Sequence, residues 1–305
     1  MYNVRRKLWI LTVLLFAVSA VMLKFFPSSD NNDAIATPAN AQQAESGTST
    51  VFSGGSTERF VAHRGYSNYA PENSIPAFEL AGKIGFWGIE TDICETSDGQ
   101  FVCMHDDTLD RTTNGSGAIS DYTLDDLSQF QIDYGNYLNT NENLKIPTLE
   151  EVLELIKPTN LTINIEIKNN KVRYKGIEED IINLVKKHNM EERVLISSFN
   201  YRSLKRIFRL DPTIKTAYLV GAFTFKHKSL KKVLKRCKEC NCAYIHPSYD
   251  VVNKELVTEA HKKGISVQVY TVNSITIMKK LIKLKVDGVF TNYPKIINTI
   301  VNENL

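Results

Sequence analysis

The chain has 305 residues, of which 43% are hydrophobic and 23% charged. These fractions exclude a collagen-like protein, a small disulfide scaffold and a wholly disordered chain. The formal net charge is only +3, so the charge balance gives no reason to expect nucleic acid or an acidic polymer as a partner.

The amino terminus carries a membrane-targeting pattern. Arg5, Arg6 and Lys7 precede an apolar run from Leu8 to Phe26. As a helix, residues 8–26 would be about 28 Å long, close to the thickness of a bilayer core. We predict that residues 1–26 form an uncleaved signal anchor, with its positive flank in the cytoplasm and the rest of the chain on the extracytoplasmic side of the cell membrane. The alternative is a signal peptide cleaved after the small-x-small motif at residues 39–41, which would make the protein secreted.

Residues 27–57 are rich in Ser, Asn, Ala, Thr, Gln and Gly and contain few large apolar residues. Such a composition cannot form a hydrophobic core, so we predict a flexible linker here. The folded domain is expected to span residues 58–305.

Within that domain, short apolar runs alternate with segments of helical period. The predicted strands are residues 59–63, 88–93, 161–167, 194–197, 214–219, 243–246, 265–270 and 288–291. The predicted helices are residues 74–83, 149–157, 176–188, 201–209, 229–240, 253–263, 274–283 and 294–302. Eight strands, each followed by a helical segment, predict an α/β fold of the (βα)8 TIM-barrel type.

One stretch interrupts this alternation. The turn signal at residues 97–100 and the alternating pattern of residues 101–105 predict a hairpin strand after the second barrel strand. Residues 107–147 are then rich in Thr, Asn and Gly, with one short helical piece at residues 124–130. We predict a small insertion on the second βα loop, on the face where barrel enzymes carry their chemistry.

Several acidic and basic side chains are expected to converge inside the barrel. Glu90 and Asp92 are two residues apart on the second strand, and Glu166 holds the equivalent parity on the third. Buried carboxylates require a cation, and an oxygen-only donor set favours Mg²⁺ or Ca²⁺ over zinc. Arg64 and Lys168 would lie beside that cation, which is an arrangement suited to binding a phosphate.

Two histidines are positioned to move protons at the same place. His63 ends the first strand, and His105 ends the hairpin strand. Two imidazoles beside a metal-bound phosphate can act as general base and general acid on a phosphodiester. A ribonuclease-like or lipase-like reaction on the same groups is an alternative, although the chain lacks a Gly-x-Ser-x-Gly nucleophile elbow.

Two other groups of residues have open interpretations. The disulfide pairing of the five cysteines is undetermined; Cys94 and Cys103 could face each other across the hairpin, and Cys237, Cys240 and Cys242 are expected to form a disulfide or buried thiols rather than a zinc site. A basic cluster spans residues 226–236 and is expected to be a solvated helix face, with anionic lipid headgroups as the alternative partner.

With these residues, the sequence resembles the glycerophosphodiester phosphodiesterase family over residues 60–294. The matching motifs occur in the family's order and are Ala62-His63-Arg64-Gly65, Pro71-Glu72-Asn73-Ser74, Gly88-Ile89-Glu90-Thr91-Asp92, Thr96-x-Asp98-Gly99, His105-Asp106, Leu109-x-Arg111-Thr112-Thr113, Ile146-Pro147-Thr148-Leu149, Asn164-Ile165-Glu166-Ile167-Lys168, Ser197-Ser198-Phe199, Thr271-Val272-Asn273 and Asp287-Gly288-Val289-Phe290-Thr291.

The resemblance implies a role for each candidate residue. It implies that His63 and His105 are the catalytic acid–base pair and that Arg64 and Lys168 contact the phosphate. Glu90, Asp92 and Glu166 would hold one divalent cation, Ca²⁺ or Mg²⁺, and Glu72 would have a supporting role.

The implied reaction is hydrolysis of a small or lipid-derived glycerophosphodiester to sn-glycerol 3-phosphate and an alcohol. Attack by the glycerol 2-hydroxyl and direct attack by water both fit. Alternatives are a lysophospholipase D-like enzyme, a hydrolase of glycerol-phosphate wall polymers, and a binder of glycerophosphates without turnover.

The chain departs from the family's pattern at two positions. Tyr270 stands where the family usually has Trp, and Asn292 stands where it usually has Asp. We expect neither departure to touch the metal ligands or the histidine pair, and we expect the first to affect substrate preference.

Overall fold

The computed structural model describes residues 59–133, 143–169 and 172–293. The strands are β1 (Arg59–Ala62), β2 (Gly88–Glu95), β3 (Phe101–Cys103), β4 (Thr162–Ile167), β5 (Val194–Ser198), β6 (Lys215–Val220), β7 (Tyr244–Pro247), β8 (Ser266–Val269) and β9 (Gly288–Thr291). The helices are α1 (Ile75–Ile84), α2 (Leu124–Leu127), α3 (Leu149–Ile156), α4 (Ile177–Lys187), α5 (Tyr201–Leu210), α6 (Ala222–His227), α7 (Leu230–Glu239), α8 (Lys254–His261) and α9 (Ile275–Leu284). Short 3₁₀ turns lie at Ile119–Asp121 and Glu191–Arg193.

Eight parallel strands close into a barrel. The sheet order is β1-β9-β8-β7-β6-β5-β4-β2, and β1 also pairs with β2, which closes the ring. Strand β3 pairs antiparallel with β2 and lies outside the ring. The (βα)8 prediction is therefore confirmed, and all eight predicted barrel strands are present.

Alternate residues along each strand face opposite sides of the barrel wall. On β4, Ile163, Ile165 and Ile167 are at most 1% exposed and pack under the surrounding helices. The intervening positions on β2 and β4 face the barrel axis, and at the carboxyl ends of these strands they are charged. The apolar outer wall stabilises the barrel, and the inner wall is left to carry the site.

Side chains in the preceding loops fix where several helices begin. Ser74 accepts a hydrogen bond from the backbone N–H of Ala77 at 3.3 Å and so caps α1. Thr148 and Glu151 form a reciprocal capping box at the start of α3. Such capping groups hold the helix starts, and with them the loops at the carboxyl-end face of the barrel, in fixed positions.

The structure differs from the prediction after β6. Helix α6 precedes α7 in the β6 loop, where only one helix is predicted, because a six-residue helix is too short to show a clear period in sequence.

Parts of the prediction lie outside the described residues. These are the signal anchor, the linker, residues 134–142 of the insertion and the helix at residues 294–302. Among the helices that the structure does describe, none has the length and apolar content to cross a bilayer.

Candidate active site

The carboxylates of Glu90, Asp92 and Glu166 meet at the carboxyl end of the barrel. Asp92 lies beside Glu166 in the parallel pairing of β2 with β4. The three side chains each offer an oxygen within 4.8 Å of the others. They are at most 9% exposed. Three buried carboxylates this close together can hold a divalent cation.

Two cationic side chains contact this group. Nζ of Lys168 lies 3.1 Å from Oδ1 of Asp92 and 3.1 Å from Oε1 of Glu166. Nε of Arg64 lies 3.2 Å from Oδ2 of Asp92, but it is buried and its N–H makes no aligned hydrogen bond within the described residues. The backbone N–H of Arg64 donates to Oε2 of Glu90 at 2.8 Å.

The pKa values of the carboxyls diverge because their surroundings differ. Burial alone would raise the pKa of Asp92, but Lys168 and Arg64 hold it well below its usual range. Burial, reinforced by the charges of Asp92 and Glu166, raises the pKa of Glu90. Burial also raises the pKa of Glu166. Two of the three carboxylates therefore lack enough positive charge nearby.

The donor set fits a hard divalent cation. When all groups are ionised, three carboxylates face two cationic side chains, which leaves one excess negative charge. Buried, unbalanced carboxylates are costly, and oxygen donors are those that Mg²⁺ and Ca²⁺ take. The residues present therefore match the cation that the sequence predicts at this position.

The loop after β1 has an unusual backbone that orients this cluster. Arg64 and Asn73 both adopt left-handed backbone conformations, with φ of 59° and 55°. Gly65 has φ of +75°, and a Cβ there would lie 2.7 Å from atoms of Ala77 at the start of α1. Only glycine allows this approach, which brings the Arg64 N–H to Glu90.

His63 lies beside the cluster and is held by Asn292. Its Nδ1 is 2.8 Å from Oδ1 of Asn292. Since an amide oxygen only accepts, Nδ1 carries the proton and Nε2 is left with its lone pair. Burial, and then the charge of Arg64, lower the pKa of His63 to about 4, so the ring is neutral at neutral pH.

The expectation about position 292 is wrong in this respect. The Asn292 departure touches the histidine pair directly, because β9 neighbours β1 and residue 292 follows β9 as His63 follows β1.

His105 has a different partner. Its Nδ1 lies 2.6 Å from Oδ1 of Asp106, a carboxylate that also binds Arg111. Burial lowers the pKa of His105, while the negative charge of Asp92 opposes that change. The pKa of Asp106 is lowered to about 2: burial acts to raise it, but hydrogen bonds from Arg111 and His105 outweigh that effect.

Glu72 joins the two sides of the site. It accepts from Nη1 of Arg64 at 2.9 Å and from Nη2 of Arg111 at 2.6 Å. The structure thus places Glu72 as a bridge between two guanidinium groups rather than among the carboxylates. All eight predicted site residues lie at this end of the barrel.

Sequence reasoning gave no role to three residues of the site. Asn73 donates to Oδ2 of Asp92 at 3.1 Å and accepts from Thr91 Oγ1 at 2.9 Å. Arg111 and Asn292 make the contacts described above. Asn73 and Arg111 lie inside the family motifs, so both residue types are visible in the sequence, but the sequence does not show which side chains they contact.

The cysteines are all free. The five lie within the described residues, and each is buried as a thiol. Cys94 pairs in register with Val102, and Cys103 with Ile93, so Cys94 and Cys103 point to opposite faces of the hairpin and do not meet.

A second group of possible metal donors lies on the helices outside the barrel strands. Glu150 and Glu154 of α3 and His188 after α4 bring their donor atoms within 4.8 Å of one another. Glu150, however, already accepts from Nζ of Lys187 at 2.6 Å and contacts Nε2 of His188 at 2.9 Å. These contacts identify the group as ion pairs that join α3 to α4.

Comparison with known proteins agrees with the geometry. Residues 63–296 match the model of the "Glycerophosphoryl diester phosphodiesterase family". A glycerophosphodiester phosphodiesterase of Caldanaerobacter subterraneus subsp. tengcongensis is 39% identical over 248 residues, which cover 80% of this chain and 97% of that one. One from Bacillus subtilis is 35% identical over 259 residues, covering 79% and 85%.

Solved structures agree too. A phosphodiesterase of Oleispira antarctica, solved in complex with the product sn-glycerol-3-phosphate, is 31% identical and superposes with a TM-score of 0.71, covering 80% of this chain and 96% of that one. The chain belongs to the glycerophosphoryl diester phosphodiesterase family.

Proposed function

We propose that this glycerophosphodiester phosphodiesterase hydrolyses its substrate by general acid–base catalysis at His63 and His105, with the phosphate held by Arg64 and Lys168. The observation that carries the proposal is the buried carboxylate group, contacted by both cationic side chains, with both histidines close enough to act electrostatically on Asp92. Family membership and the named relatives support the reaction class.

Glu90, Asp92 and Glu166 are the residues that would hold one divalent cation, Ca²⁺ or Mg²⁺. When bound, such a cation offsets the phosphate charge and polarises the phosphorus–oxygen bonds. Its charge would offset the excess of the three carboxylates over Arg64 and Lys168, which would reduce the repulsion of an anionic phosphodiester.

His63 is the proposed general base. Its Nε2 is unprotonated in the neutral ring, because Asn292 accepts the proton of Nδ1. The pKa of about 4 keeps the base available at neutral pH. The proton it removes belongs either to the glycerol 2-hydroxyl or to water, and the two routes share this step.

His105 is the proposed general acid. Burial lowers the pKa of His105, and two carboxylates oppose that change: Asp92 through its charge and Asp106 by accepting from Nδ1. Both therefore favour the protonated ring that a general acid requires. Nε2 of the protonated ring donates to the departing alcohol oxygen. His63 then releases the proton it has taken to bulk water, and His105 regains a proton from bulk water, so both rings return to their starting states. Glu72 and Arg111 support this side of the site by fixing Asp106 and Arg64.

The Oleispira antarctica structure with sn-glycerol-3-phosphate supports a glycerol phosphate product for this chain as well. The substrate class is thus a small glycerophosphodiester, and a lysophospholipid or a glycerol-phosphate wall polymer is the second candidate. The apolar run at residues 8–26 favours the second, because an anchored domain is held close to surface-bound substrates.

The reaction is tested with residues 58–305, since the matched region makes up 97% of the Caldanaerobacter relative. Release of sn-glycerol 3-phosphate from glycerophosphocholine is measured after EDTA treatment and again after Mg²⁺ or Ca²⁺ is added. We expect release that depends on the metal. Glu90→Gln should abolish it, whereas the control variant Glu79→Gln, at an exposed position, should release product as the parent protein does. Turnover that survives both EDTA and Glu90→Gln would refute the assignment of the cation site.

The location is tested with the full chain. We propose a single-pass membrane protein with the barrel outside the cytoplasm, supported by the basic flank and the apolar run. Membrane fractionation and protease accessibility of the barrel in intact spheroplasts would measure this. Recovery of the full-length chain in the cytosolic fraction would contradict it.

A further inference from the structure

Exposed large apolar side chains concentrate at one end of the barrel. Within the described ranges six such residues are exposed, and five follow the carboxyl ends of successive strands: Phe199, Phe223, Tyr249, Ile275 and Tyr293. The sixth, Leu210, ends α5 and lies at the opposite face. We call the five residues the rim arc.

The rim arc is continuous in the ring. Its residues follow β5, β6, β7, β8 and β9, which are neighbours in that order. The carboxylate group and its cations lie on or after β1, β2 and β4. The arc therefore borders the catalytic residues at both ends: Tyr293 adjoins Asn292, which contacts His63, and Phe199 follows β5, the neighbour of β4. Scattered exposed apolar residues are ordinary, but a set confined to one face marks an interaction surface.

The most exposed member is held in place by the fold. Phe223 is 75% exposed on α6, the short helix that the sequence does not predict. On the same helix, Phe225 packs against the core, which fixes α6 on the barrel. The ring of Phe223 contacts that of His227 at a centroid distance of 4.5 Å. The helix therefore presents Phe223 to the outside at a defined position.

Positive charge surrounds the arc. The exposed basic side chains in the same loops and first helical turns are Arg202, Lys226, Lys231, Lys232 and Lys254, against the exposed acids Asp250 and Glu255. Aromatic rings favour the headgroup level of a bilayer, and clustered lysines favour anionic headgroups. A protein partner would need no such excess of positive charge.

We propose that the rim arc docks on the surface of an anionic phospholipid bilayer, with Phe223 inserted at the headgroup level and the lysines of α6 and α7 against the lipid phosphates. The docked barrel would open toward the bilayer, so substrates released from or held in the membrane reach the carboxylate group directly. This docking depends only on the side chains of the rim arc and its lysines, so the proposal does not rest on the proposed reaction.

Vesicle co-sedimentation of residues 58–305, which lack the apolar run, tests the proposal. Vesicles of phosphatidylglycerol with phosphatidylcholine are compared with vesicles of phosphatidylcholine alone. We expect binding to the anionic vesicles that falls at least about tenfold in Phe223→Ser and stays unchanged in Leu210→Ser. Absence of binding by the parent protein, or equal binding by Phe223→Ser, would overturn the proposal.

A second probe does not depend on loss of a residue. In residues 58–305 the natural tryptophan is Trp87, which precedes β2 at the opposite end of the barrel. Phe223→Trp therefore adds a reporter at the arc, and its emission should shift to the blue with anionic vesicles. An unshifted spectrum would overturn insertion of this residue. Hydrolysis of soluble glycerophosphocholine should be the same in all these variants, so failure of docking is distinguishable from failure of the reaction.

Discussion

Nδ1 of His63 lies 2.8 Å from Oδ1 of Asn292, and this contact fixes which nitrogen of the neutral ring carries the proton. A carboxylate in the same place would accept the same proton but would also stabilise the charged ring. The amide offers no such charge, so burial and Arg64 dominate and the pKa of His63 falls to about 4. One amide in place of a carboxylate thus favours a neutral histidine suited to be the base.

Replacing Asn292 with Asp should move the acid limb of the pH–rate profile. The new carboxylate raises the pKa of His63, and the base must lose its proton to act, so the limb should shift to higher pH by about one unit or more. The profile of kcat/KM measures this. A shift of the basic limb instead would make His63 the general acid, and an unchanged profile would remove it from proton transfer.

Substrates with different leaving groups distinguish the proposed roles of His63 and His105. Loss of a general acid or base costs about 100- to 10,000-fold in rate. His105→Ala should lose that factor on glycerophosphocholine but much less on a 4-nitrophenyl glycerophosphodiester, whose leaving group needs no proton. His63→Ala should lose a similar factor on both substrates. Equal losses for His105→Ala on both substrates would contradict its role as the acid.

Much of the barrel could be predicted because its signals are local. On β4, Ile163, Ile165 and Ile167 alternate with polar residues, and this pattern predicts the apolar outer wall. On β2, Glu90 and Asp92 lie two residues apart and therefore on the same side of the strand, which predicts a charged site inside the barrel. Gly65 and Ser74 mark the loop and the helix start that surround the site. Periods of two and of 3.6 residues are visible in a single sequence.

Contacts between distant residues could not be predicted in this way. The hydrogen bond that His63 donates to Asn292 joins residues 229 positions apart, and it depends on the pairing of β9 with β1. The contact of Glu72 with Arg111 depends on how the insertion folds over the loop after β1. A single sequence gives the residue types of such pairs, but it does not show that the two side chains lie close together in the folded chain.

Asn73 is the residue with the best-defined positioning role. It donates to Asp92 and accepts from the hydroxyl of Thr91, so it orients a proposed metal ligand. Groups that orient ligands typically contribute 10- to 100-fold in metal affinity. Asn73→Gly tolerates the φ of 55° and removes only the side chain. We expect about that loss in the apparent affinity for Mg²⁺ or Ca²⁺, measured by titration after EDTA treatment.

The outcome of that titration is specific to Asn73. Asn114→Gly, in the insertion, serves as the control and should leave the metal titration unchanged. An Asn73→Gly enzyme with the parent's metal affinity but a lower rate would show that Asn73 acts on the substrate side, and that result would contradict its role in orienting Asp92.

His246 should make the stability of the barrel depend on pH. The ring is fully buried beside Gln268, with Nε2 at 3.1 Å from its Oε1, and burial lowers its pKa to about 3. The unfolded chain binds a proton near pH 6.5 while the folded chain does not, so the free energy of unfolding should fall as pH drops from about 6.5 toward 3. The slope from this group is at most about 1.4 kcal/mol per pH unit.

His246→Phe removes the titrating ring and should lower that slope, whatever it does to stability at neutral pH. Urea unfolding between pH 7 and 5 measures the slope. His63, whose pKa is also low, adds a contribution of the same sign, so some dependence should remain in the variant. His227→Phe is the control, because it makes the same change of residue type at an exposed position on α6. Equal slopes for parent and His246→Phe would mean that a proton reaches the buried ring without unfolding the barrel.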